Sequence, residues 1–249
     1  MVDSLFASST YRLRKKLRSA HAPHTRRKRS VGETSMFWSA GQTLRISFLN
    51  GTCPWHKRAI VTTACQWLRY ANLHFRLVND DDSQAEIRIR TDVAEDINYS
   101  VLGNQSLNEP DEESMAIGTQ PSDPRFEANV LHEFGHALGM DHEHQHPHAN
   151  IPWDLAALRL LLREILAKEV DDQEALEEAI EDELTTQFLP LPGDDTRLLL
   201  PYDRKSIMHY QVRQTHTLGN WKIGLNQVIS EGDKRFMRLV YPRLCQLRC

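Results

Sequence analysis

One short stretch constrains the fold more than any other: His132-Glu133-Phe134-Gly135-His136-Ala137-Leu138-Gly139-Met140-Asp141-His142-Glu143. His132 and His136 stand four residues apart, so on a helix both imidazoles leave one face about a turn apart and can converge on one ion. Upstream, Ser122-Asp123-Pro124 supplies a helix start, because Asp123 accepts from free first-turn N–H groups and Pro124 has no N–H to leave unpaired. The helix is predicted to run to Leu138. Gly139 suits the left-handed residue just past a helix end, and a turn there lets His142 swing back as a third ligand.

Strand and helix patterns flank this centre. Leu44, Ile46 and Phe48 alternate with Arg45 and Ser47, the period of a half-buried strand that ends at Asn50-Gly51. Ile60, Val61, Ala64, Trp67, Leu68 and Ala71 recur at helical spacing and predict an amphipathic helix over about residues 55–71. A strand over 73–78, a polar turn at Asn79-Asp80-Asp81-Asp82-Ser83 and a strand over 85–90 follow, the last with Ala85, Ile87 and Ile89 alternating with Glu86, Arg88 and Arg90. Residues 95–114 read as loop and 115–119 as a short strand. Between Trp153 and Phe188 lies a helical stretch whose leucines, from Leu155 to Leu166, are predicted to pack. Its continuation, Asp171 to Glu183, holds eight carboxylates and no Lys or Arg. It reads as a solvated helix face rather than a calcium site, since the spacing matches no calcium-loop pattern. Pro190, Pro192 and Gly193 close the segment.

Charge is unevenly placed. The whole chain carries -4, which favours neither nucleic-acid nor membrane adhesion, yet residues 1–29 carry +8 and leave -12 for the rest. The basic segment ends in Arg26-Arg27-Lys28-Arg29-Ser30, a solvated tail, a dibasic processing site or, last in order, a nucleic-acid patch. No stretch approaches the roughly 20 apolar residues that cross a bilayer, and the N-terminus lacks the apolar run of a secretory signal. Four cysteines, Cys53, Cys65, Cys245 and Cys249, permit three pairings and leave the compartment open.

Three imidazole ligands leave a coordination position for water, the mark of catalytic rather than structural zinc. Glu133 sits beside the first ligand, where a carboxylate can take a proton from that water and later give it to a leaving amine. A short HExxH arises by chance in many helices, but Gly139 and His142 at matching positions make chance a poor account. His144, His146 and His148 compete as third ligand; His142 has the favoured spacing and the others read as exposed or supporting residues. Farther on, Tyr202-Asp203-Arg204-Lys205-Ser206-Ile207-Met208-His209-Tyr210 offers a Met that can form a soft apolar floor and a Tyr that can face the metal or the developing oxyanion.

HEFGHALGMDHE followed by YDRKSIMHY resembles the astacin-like metallopeptidases of the metzincin superfamily, in their microbial branch. Ile229 to Asp233 with Leu239-Val240-Tyr241-Pro242 is similar to that family's closing helix, and Trp38 to Ile46 to its N-terminal half. The resemblance implies an α+β metzincin fold: a twisted, mixed five-stranded sheet with two long helices above a cleft, and a smaller, mostly irregular and helical lower subdomain. It implies one Zn²⁺ per chain on His132, His136 and His142, Glu133 as general base and Met208 as the Met-turn residue. Tyr210 is implied to ligate zinc without substrate and then to stabilise the transition state. Glu143 corresponds to a glutamate that pairs with a newly freed N-terminal amine, its plain alternative being a surface carboxylate at the helix exit. An antiparallel edge strand would bind the extended peptide.

The expected organisation is a basic tail or removable prosegment over 1–30 and a catalytic domain over 31–249, divided into 31–139 and 140–249, with a helical acidic segment at about 153–189. The expected activity is hydrolysis of protein or peptide substrates by a zinc endopeptidase, without membrane or nucleic-acid partners and with no expectation for oligomeric state. The resemblance suggests a secreted setting. The alternative is a catalytically silent or latent zinc-binding protein, a pseudoprotease or a nucleic-acid-associated factor using the basic tail.

Overall fold

The computed structural model describes residues 34–191 and 196–243. The basic tail, Pro192, Gly193, Cys245 and Cys249 lie outside the described residues.

Five strands form one mixed sheet: β1 (Thr43–Phe48), β2 (His74–Leu77), β3 (Ile87–Arg90), β4 (Asn98–Ser100) and β5 (Met115–Ile117), in the order β2-β1-β3-β5-β4. β1 runs parallel to β2 and β3, and β3 runs parallel to β5. Only β4 is antiparallel, and it lies at the sheet edge, with Tyr99 opposite Ala116. β4 falls inside the stretch expected to be loop. Three residues carry too little periodicity to announce a strand, and pairing with β5 makes it one.

β1 and β3, inside the sheet, are more deeply covered than alternation predicts, while β2 at the edge stays largely exposed. Ser47 and Arg88, on the polar phase of their strands, are 0 % and 2 % exposed. Parallel strands are joined by crossovers that cover the sheet faces, so alternation does not produce a wet face. Arg88 meets the cost of burial by donating to four backbone carbonyls, those of Ala85, Ser106, Glu109 and Glu112, at 2.7–2.9 Å. Its guanidinium thereby pins the 103–112 segment over β3.

The first helix, α1 (Pro54–Ala64), is shorter than predicted and is followed by a 3-10 turn at Trp67–Arg69. The break lets Trp67, fully buried, donate its indole N–H to Leu131 O on the next helix at 3.0 Å. Cys53 and Cys65 cap the two ends of this 11-residue helix, too far apart to bond to one another. α2 (Phe126–Ala137) starts two residues later than predicted. Asp123 accepts from the Arg125 N–H at 2.7 Å and from its guanidinium, which holds the chain in a turn before the helix begins.

Beyond α2, α3 (Leu155–Leu166) and α4 (Gln173–Gln187) are capped by Asp154 and Asp172, whose carboxylates accept from Ala157 N and Ala175 N. The expectation of a wet acidic helix needs correcting on one face. Leu176, Ile180 and Leu184 recur every fourth residue and bury against Leu158, Leu162 and Leu166, while the carboxylates take the other side. Arg159–Glu181 and Arg163–Glu177 link the exposed faces at 2.6 and 2.7 Å. α5 (Glu231–Val240) closes the fold behind a Ser230/Asp233 capping box. Among the described residues, no helix is long and apolar enough to cross a membrane.

Candidate active site

α2 ends as its glycine predicts. Gly139 has φ +89°, its N–H donates to His136 O, and Met140 N–H donates to Gly135 O at 2.9 Å, the paired bonds of a left-handed helix exit. Two further terminal carbonyls are met from opposite ends of the chain: Trp38 Nε1–H donates to Ala137 O at 2.8 Å and Tyr241 O–H to Leu138 O at 3.0 Å. The helix that carries His132 and His136 is thus fastened by residues more than 200 positions apart.

His132, His136 and His142 converge. His136 Nε2 lies 3.1 Å from His132 Nε2 and 2.9 Å from His142 Nε2. His132 Nδ1 faces Ile207 O at 2.8 Å and His136 Nδ1 faces Met140 O at 2.7 Å, so the carbonyls hold the protons on Nδ1 and leave Nε2 lone pairs directed at one another. Burial pushes the His132 imidazole down to about 4, which keeps it neutral. Facing lone pairs repel unless a cation lies between them. A tetrahedral zinc with Zn–N of about 2.05 Å would separate its nitrogens by about 3.3 Å, close to the spacing seen. The donor set fits zinc.

Met208 lies beneath this helix face. A Cβ on Gly135 would collide with Met208 Sδ, so only glycine lets the thioether approach α2 this closely. The turn carrying Met208 is held by Asp233, which accepts from Ser206 Oγ at 2.6 Å and Ile207 N at 2.9 Å. The same turn reaches the convergent histidines: Ile207 O holds His132, and Met208 O accepts from Glu143 N, next to His142, at 3.0 Å. Asp233 is thereby a support that sequence reasoning did not single out for the site. Its signal was the Ser230/Asp233 capping spacing. Tyr210, two residues past Met208, sets its ring 4.2 Å from that of His142 and 5.3 Å from that of His132.

Glu133, beside His132 on α2, is only 5 % exposed. Glu143 turns away from the three imidazoles: its Oε1 accepts from Asp203 N at 2.7 Å beside a cavity of about 30 Å³ that Asp141, Asp203 and Asp233 also line. Glu143 is half-buried, and burial lifts its carboxyl to about 8. Of the histidines expected to be exposed or supporting, His148 is exposed, whereas His144 and His146 are not. Both are buried, bonded through Nε2 to Gln187 O at 2.6 Å and Leu200 O at 2.8 Å, and neither joins the convergent three.

No protein-family model matches the chain, and no curated protein matches it. Solved structures do. One of myroilysin is 32 % identical and superposes with a TM-score of 0.72 over 86 % of this chain and 99 % of that one. A second myroilysin structure, also 32 % identical, gives 0.62 over 84 % and 87 %. High choriolytic enzyme 1, a hatching enzyme zinc-protease from the medaka fish Oryzias latipes, shares 16 % identity and the fold, with a TM-score of 0.56 over 86 % and 98 %. The mixed five-stranded sheet, the convergent histidines and near-complete coverage of a relative at 32 % identity agree: the chain belongs to the astacin-like metallopeptidases of the metzincin superfamily.

Proposed function

We propose that this protein is a zinc-dependent endopeptidase that hydrolyses peptide bonds of protein or peptide substrates, with one zinc held by His132, His136 and His142. The observation that carries this reading is the convergence of three imidazole nitrogens beside a buried carboxylate, Glu133. Zinc, when bound, supplies Lewis acidity that polarises the substrate carbonyl and lowers the pKa of water. Glu133 takes the proton from the attacking water and passes it to the leaving amine, a transfer that contributes about 10²–10⁴-fold. Tyr210 donates its hydroxyl to the oxygen on which charge develops. Met208 provides the apolar floor that keeps the ligand helix in place. The antiparallel edge strand β4 offers backbone groups to an extended substrate. Residues 31–139 and 140–249 form the two sides of the cleft.

Within the basic segment over 1–30, residues 1–29 serve as a removable prosegment. Cleavage after Arg29 frees an amino terminus that Glu143 receives, and an ammonium there returns the lifted carboxyl to its charged form. Full-length protein is then less active than the 30–249 form, and equal activities refute the prosegment.

Casein hydrolysis and metal content, measured on wild type and Glu133→Gln side by side, test the central reading. The expected result is chelator-sensitive cleavage by wild type, with the variant keeping about one zinc per chain and losing at least about 10²-fold in rate. Full activity in Glu133→Gln overturns the mechanism.

A further inference from the structure

Behind the convergent histidines lies a fourth, His144, which binds to none of them yet occupies a constrained place. Its Nε2–H donates to Gln187 O at 2.6 Å, the last residue of α4, whose carbonyl would otherwise be left over at the helix end. Its Nδ1 is buried without a partner, so one hydrogen bond and ring contacts alone orient it. Trp153 meets the ring edge-on at 6.2 Å. Tyr210 also packs against it, ring centroids 4.8 Å apart, and because His142 and His144 stand 5.1 Å from one another the phenol, 4.2 Å from His142, rests against both imidazoles in one three-ring cluster.

The neighbouring residue strengthens the anchorage. Gln145 Nε2 donates to Thr186 O at 3.0 Å and Leu189 O at 3.1 Å, and Leu191 N donates back to Gln145 O at 2.8 Å. The turn that follows the third metal-facing histidine is therefore latched to the C-terminal end of the α3–α4 hairpin. That hairpin has its own apolar cluster, against which Tyr210 also packs.

We propose that His144 is a positioning residue for Tyr210: anchored to the end of α4, its ring is the wall that sets the phenol plane over the metal-facing nitrogens. This rests on the reading of Tyr210 as the oxyanion donor. A donor in a preorganised site loses its value when displaced, an error of about 1 Å costing up to about 10²-fold in rate. The α3–α4 hairpin thereby acts on the chemistry without supplying a group to it.

The test uses His144→Phe, which keeps a ring and loses the anchor, and His144→Gln, which keeps a donor and loses the ring. Both are expected to lower kcat about tenfold, in the range for residues that orient a metal site, with KM within about twofold and zinc content unchanged. In a Tyr210→Phe background, His144→Phe is expected to cost nothing further. A readout free of turnover is the ¹⁹F spectrum of protein carrying 3-fluorotyrosine at its six tyrosines. The Tyr210 resonance, assigned by its loss in Tyr210→Phe, is expected to move in both His144 variants. An unmoved resonance with normal kcat overturns the proposal. A slowed Tyr210→Phe that loses a further tenfold on His144→Phe also overturns it while leaving the role of Tyr210 intact. Wild-type kcat in Tyr210→Phe overturns that role first, and the proposal with it.

Discussion

Gly135→Ala is the sharpest perturbation of the helix that carries the histidines. An Ala Cβ at this position would overlap Met208 Sδ, stand 3.1 Å from Met208 Cε and lie 3.5 Å from Trp67 Cζ2. Met208 and Trp67 are both 0 % exposed, so neither can swing into solvent. Replacing a mid-helix glycine by alanine gains about 1 kcal/mol of helix propensity. Overpacking a closed core costs about 1–3 kcal/mol, and direct overlap with sulfur places this site at the upper end. The net is a destabilisation of about 2 kcal/mol, or a Tm lowered by about 4–8 °C for a domain of this size. Displacing Met208 also moves Ile207 O and Met208 O, the partners of His132 and of the residue after His142, so zinc affinity is expected to fall about 10–100-fold. Thermal unfolding of the metal-free protein and chelator competition for zinc measure the two effects. A companion variant isolates the cause. In a Met208→Ala background the added Cβ has room and only the propensity gain remains, so Gly135→Ala costs about 3 kcal/mol less than in wild type. An unchanged or raised Tm for Gly135→Ala, or additive effects in the pair, would refute the reasoning.

Two further outcomes follow from burial. Arg88→Met leaves four carbonyls without their shared donor and is expected to cost about 3 kcal/mol, read as a lowered urea midpoint; a loss under about 1 kcal/mol refutes the pinning role. In the metal-free protein, burial holds His132 and His209 down to about 4 and His144 to about 3, all below the ordinary 6.5. Depressed folded-state values mean that the unfolded chain takes up protons first as pH falls. Glu143, lifted to about 8, works in the opposite direction, so the urea midpoint of metal-free Glu143→Gln protein isolates the rings: it is expected to decline between about pH 6.5 and 4, and a level midpoint across that window refutes the neutral, buried state of these rings.

Much of the candidate site was legible because its parts are local. The four-residue spacing of His132 and His136 and the glycine at the helix exit each express a preference of the backbone within one or two turns. Such preferences survive wherever the segment is placed. The i, i+4 stripe of α4 was equally present in the sequence, but eight carboxylates masked it until α3 supplied an apolar face to meet Leu176, Ile180 and Leu184.

By itself, then, the sequence determined the helix that carries His132 and His136, its sharp exit, the convergence of histidines that these permit, and the alternating strands around them. Tertiary structure alone decided that Asn98–Ser100 is the antiparallel edge, that Arg88 turns inward, that Asp233 holds the Met208 turn, and that His144 is walled in between Tyr210 and the end of α4. The physical reason is the same in each case. A strand of three residues, a buried cation and a ring held by a distant carbonyl owe their state to partners tens of residues away, and one segment's periodicity does not encode the partner it will meet.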